Sequence, residues 1–143
     1  MKRLLLLIMM CMPIMASAQS PGTFDELFTR YQTEQDCTTV ILSREMLASM
    51  DVGPGIDLMQ VISIENNTQS ARFVSDVETI IANYNVIMRV GSGNQMVKMV
   101  SLANDEGAIT ELVILTTDSS ECVVVRLIGK DIKLEDTGSI INL

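Results

Sequence analysis

The chain has 143 residues, with 18 acidic against 10 basic side chains, three cysteines, no tryptophan and no histidine. Its formal charge of −8 repels nucleic acid and anionic membrane surfaces, and no Lys/Arg cluster offers a local exception. The lack of histidine removes the commonest general base and metal ligand, and with it Ser-His-Asp and Cys-His catalysis and ordinary zinc sites.

At the start, Lys2 and Arg3 precede an apolar run from Leu4 to Met15, and Ala16-Ser17-Ala18 then offers the small residues that a signal peptidase requires. The pattern predicts a signal peptide over residues 1–18 and a single domain over residues 19–143, exported to the periplasm or secreted. The apolar run is shorter than the about 20 residues of a membrane span. Met9 and Met10, rather than small residues, precede Cys11, which argues against a lipoprotein site. No stable membrane insertion of the mature chain is expected. Cleavage after Ala18 removes Lys2 and Arg3, so 8 of the 10 basic side chains remain against 18 acids, a formal charge of −10. Five of the eleven methionines leave too. Met46, Met50, Met59, Met88, Met96 and Met99 remain in apolar stretches and read as core fillers rather than as a copper site.

Thr23-Phe24-Asp25-Glu26 reads as a capping box opening a helix whose apolar residues Phe24, Leu27, Phe28 and Tyr31 form one stripe. The β-branched run Cys37 to Leu42 predicts a strand, and Ser43 a cap for a short helix with Met46, Leu47 and Met50. Gly53-Pro54-Gly55 ends that helix, and a strand over Gln60 to Glu65 follows. After the turn Asn66-Asn67-Thr68, Val74, Val77, Ile81 and Tyr84 mark the buried stripe of a longer helix, with Phe73 and Ile80 beside it. Four strand-like runs come next: Tyr84 to Val90, Gln95 to Ala103, Ala108 to Thr117 and Cys122 to Ile128. The connections between them are too short for crossover helices, which predicts an antiparallel meander. Leu112 to Leu115 and Val123 to Val125 are apolar on both faces and so belong at the centre of the sheet. The tail from Asp131 is compatible with a short helix or one more edge segment. The expected fold class is α+β in two layers, with helices packed on an antiparallel or mixed sheet that ends in a four-strand meander.

Chemistry has few places to reside. Gly53-Pro54-Gly55 and Gly91-Ser92-Gly93 continue into neither a Walker nor a dinucleotide pattern, so they read as turns. Asp105-Glu106 and the stretch Asp118 to Glu121 lack the regular acidic alternation of a calcium loop and read as hairpin tips. The five aromatics lie mostly on buried helical stripes. No catalytic residue, metal ligand or cofactor is expected. Cys37 and Cys122 each open a strand; an oxidising compartment would favour their pairing if those starts lay side by side, and otherwise they are two buried thiols.

The order of these parts resembles the bacterial domain of unknown function 4252 family. The resemblance rests on the Phe24-to-Tyr31 helix, Thr39-Val40-Ile41-Leu42-Ser43-Arg44-Glu45-Met46-Leu47, Glu111-Leu112-Val113-Ile114-Leu115 and Glu121-Cys122-Val123-Val124-Val125. It implies a small exported protein of Gram-negative bacteria, in a family sometimes thought to accompany envelope-stress sigma factors, and it supplies no functional residues. The expected function is a non-enzymatic domain that binds a protein partner or small ligand in the bacterial envelope. The alternatives are a carboxylate-based enzyme, for which no acidic pair can be named, and a structural or oligomerising protein.

Overall fold

A computed structural model describes residues 22–50 and 55–134. The proposed signal peptide, residues 51–54 and the tail beyond Leu134 lie outside them. Helix α1, Phe24–Tyr31, starts as its capping box dictates, with the Thr23 hydroxyl accepting from the Glu26 amide at 3.2 Å. The Glu26 carboxylate reaches back one residue further than the motif predicts, to the Gly22 amide at 2.9 Å. Strand β1, Cys37–Ser43, runs into the short helix α2, Arg44–Ser49, and strand β2, Ile56–Ile64, follows. β2 begins earlier than its periodicity indicated, because a register shift between Ile56 and Leu58 breaks the alternation at Asp57, whose carboxylate pairs with Arg44 at 3.5 Å.

Helix α3, Asn67–Ile80, is capped by the Asn66 side chain, which accepts from the Thr68 and Gln69 amides. A 3₁₀ turn at Ile81–Asn83 leads into β3, Asn85–Ser92, then β4, Gln95–Ala103, β5, Ile109–Thr117, and β6, Cys122–Gly129. The strands form one sheet in the order β1-β2-β6-β5-β4-β3 with every neighbouring pair antiparallel. The expected meander is present, and β5 and β6 take the central places their two apolar faces require. The architecture is mostly sheet with a few helices, rather than an even pairing of a helical and a sheet layer.

Two buried clusters lie on opposite faces. Phe24, Leu27, Phe28 and Tyr31 of α1 and Phe73 and Val77 of α3 share one with Ile62, Ile64, Val113, Leu115 and Val124 of the sheet. The other face holds Met59, Met99, Leu112, Ile114 and Leu127, joined by Leu47 of α2, Ile56 and Ile132. Ile132 is fixed by its amide, which donates to the Ile109 carbonyl at 2.9 Å, so the start of the tail lies beside β5. Among the described residues no helix is long and apolar enough to cross a membrane.

Candidate functional site

On the face shared with α1 and α3, one row of side chains runs Ile41, Gln60, Arg126, Val113, Val100, Val86 across the strands. Arg126 is the one charge in it. Its guanidinium donates to the Gln60 amide oxygen at 2.8 Å and to one Glu111 oxygen at 2.7 Å, and it lies 4.8 Å from the centre of the Phe24 ring. The Tyr84 hydroxyl donates to the other Glu111 oxygen, and its ring meets Phe24 edge-on at 6.4 Å. Burial, reinforced by the Glu111 carboxylate, raises the Tyr84 hydroxyl pKa, so it stays a protonated donor. Nε of Arg126 is buried without an acceptor. Both oxygens of the carboxylate are already engaged, and the cluster ties β2, β5, β6 and the entry to β3 together.

A second cluster joins the helices. The Tyr31 hydroxyl donates to Asp76 at 2.8 Å, Arg30 approaches the same oxygen at 3.7 Å, and the Arg72 guanidinium stands 5.7 Å from the Tyr31 ring centre. Burial, then the Asp76 bond, pushes Tyr31 up to about 12.

Cys37 and Cys122 occupy the same row with Ile64 of β2 between them. Both are free thiols. Two strand spacings separate them, about 9.6 Å, beyond the ~7 Å that a disulfide can bridge without backbone movement. The strand starts are therefore aligned, as pairing required, but not adjacent. Burial, with Asp118 and Glu121 nearby, pushes Cys122 up to about 12, and burial also raises Cys37, so neither is poised as a thiolate.

Ser70 and Val74 of α3 and Thr117, Asp118, Glu121 and Cys122 at the β5–β6 turn line an open pocket of about 290 Å³. Its Asp118 carboxylate is already bound by the Ser120 and Glu121 amides and the Ser120 hydroxyl, which lower its pKa. Asn104 orders the β4–β5 turn likewise, accepting from Glu106 and Ala108. These acidic stretches are hairpin tips organised by their own side chains. Among the described residues no group of three or more acids or cysteines is placed to hold a metal.

The opposite face carries a different feature. Val40, Val61, Val125, Ile114, Met99 and Met88 form one apolar row through all six strands. Its middle is buried, Val61 and Val125 are half-buried, and Val40 and Met88 are exposed by 40% and 37% at its two ends. Beside it Val90 is exposed by 50%, and Met46 and Met50 are exposed by 53% on and just after α2. Sequence reasoning found none of this as a site. The row needs the register of five strand pairs, and the Arg126 cluster needs the knowledge that Gln60 and Arg126 are opposite. The available signal was two opposite charges, Glu111 and Arg126, inside strands otherwise uncharged.

An antiparallel sheet flanked by a few helices, with apolar side chains exposed at its two edges, defines a small sheet domain. The sequence profile described as Domain of unknown function (DUF4252) matches residues 31–140, and the chain belongs to that family. Neither the curated proteins nor the solved structures gave a match.

Proposed function

We propose that this chain is an exported, non-enzymatic domain of the bacterial envelope that binds a protein partner through the sheet face carrying the Val40-to-Met88 row. Export rests on Lys2 and Arg3, the Leu4-to-Met15 run and Ala16-Ser17-Ala18. The single observation that carries the binding reading is that apolar row, spanning six strands with both ends exposed. Apolar side chains left exposed at the two ends of such a row mark contact points, because leaving them in water forgoes about 25 cal/mol for each Å² that a partner would cover. The carboxylates with the most structured surroundings, Glu111 and Asp76, hold neighbouring side chains. That favours a binding role over carboxylate catalysis.

The test is a photo-reactive amino acid placed at Met88 or Val90 and, as a control, at exposed Asp25 on α1, in bacteria producing the full chain. The expected result is a discrete adduct at Met88 and Val90, heavier than two copies of this chain would account for, with none at Asp25. Equal labelling at all three positions would defeat the proposal.

A further inference from the structure

Among the described residues the sheet has two edges, β1 and β3, and they are unlike. β3 contains Arg89, Gly91 and a register shift between Val86 and Met88, all features that discourage a further strand. β1 has none of them. Its sequence Cys37-Thr38-Thr39-Val40-Ile41-Leu42-Ser43 holds no charge, proline or glycine, it pairs with β2 through all seven residues without a shift, and Val40 and Ile41 are exposed by 40% and 60%. An uninterrupted, uncharged edge of this kind is a template for strand addition.

We propose that β1 pairs with β1 of a second copy, antiparallel about a twofold axis at Val40. The charges at the strand ends select the second copy as the occupant. With Val40 opposite Val40, all seven residues overlap, Cys37 faces Ser43 and Thr38 faces Leu42, and the exposed Asp36 in the turn before β1 comes to the same end of the joint as the exposed Arg44 that opens α2 of the other copy. Two opposite-charge pairs thus close the two ends of the joint. Their present contacts are long and exposed: Arg44 to Asp57 at 3.5 Å and the Asn66 amide to Asp36 at 3.4 Å. An axis moved to Thr39 or Ile41 loses both the overlap and this match. The seven uncharged residues between also let two acidic chains meet without opposing carboxylates.

The axis stands perpendicular to the sheet, so like faces adjoin. Thr38, Val40 and Leu42 of one copy then lie against Leu42, Val40 and Thr38 of the other, and the apolar row passes from Val61 through both Val40 side chains into a twelve-strand sheet. The pairing goes beyond the partner-binding reading and survives its failure, because it uses the backbone of β1 and not an outside protein.

The experiment is sedimentation equilibrium with light scattering on the purified exported chain, its Val40→Lys variant, and Val40→Cys and Met88→Cys variants in a Cys37→Ser background. The wild type is expected at the mass of two chains. Val40→Lys, which sets two like charges opposite each other at the axis, should raise the dissociation constant at least about tenfold with an unchanged circular dichroism spectrum. Mild oxidation should give a covalent dimer of Val40→Cys and none of Met88→Cys. A monomeric wild type, a dimer indifferent to Val40→Lys, or cross-linking at Met88 in place of Val40 would each overturn the proposal, the last by assigning the contact to β3.

Discussion

Arg126 reaches diagonally across the centre of the sheet to grip Glu111 at 2.7 Å, with the two side chains exposed by only 16% and 11%. An ion pair so placed is costly to break and cheap to replace, because removing one partner strands a charge while removing both strands none. Arg126→Leu alone should therefore destabilise by about 3 kcal/mol, and Arg126→Leu with Glu111→Leu should recover much of the loss. Urea denaturation of the three proteins measures this, and an additive double variant would contradict it.

Both tyrosines in the chain, Tyr31 and Tyr84, have raised pKa values, the first to about 12. A hydroxyl that holds its proton more tightly when folded contributes stability that is complete below the unfolded value near 10 and is lost as pH rises towards the folded value. The native protein should show no tyrosinate absorbance step around pH 10, and its unfolding free energy should fall between about pH 10 and 12. Tyr84→Phe should remove part of that fall.

Thiol counting checks the row that holds the cysteines. Residues 19–143 should release two reactive thiols per chain on denaturation, and fewer in the native state, where Cys122 is fully buried. Finding a single intrachain disulfide would mean that β1 and β6 are neighbours, which contradicts the placement of β2 between them.

Gly129 ends β6 opposite the start of β2, and a methyl group there would run into the backbone carbonyl of Gly55 and approach the Ile132 side chain. Gly129→Ala should cost about 2 kcal/mol, the usual scale of overpacking against a rigid neighbour. Gly91→Ala, where the same methyl meets nothing within 4 Å, is the matched control. Thermal melts distinguish the two.

The elements that were legible in the sequence are those governed by local rules: the Thr23 cap, the α1 stripe, the turn at Asn66 that opens α3, and the central position of the doubly apolar β5 and β6. Tyr84 was legible only in part. Its spacing from Ile81 suggested one more turn of the helical stripe, whereas the chain has already left α3 and the hydroxyl points to Glu111. Asp57 disguised the start of β2, because a bulge shifts the alternation by which strands are recognised. Nothing local tells Cys37 that Cys122 is two strands away. The apolar row on the α2 face follows from registers set by five separate pairings, so each valine and methionine reads as ordinary core until the order of the strands is known.

The bulge in β3 has a consequence for the number of chains that can associate. A sheet open at both edges accepts strands without end, adding copies in a line until it precipitates. Here the irregular backbone at Ile87 and the charge at Arg89 make one side a poor acceptor, so association through strands is polar in character: it can begin only at the smooth side and is exhausted once that side is used. The irregularity that weakens one strand pair thus sets a ceiling on how many copies strand pairing can join.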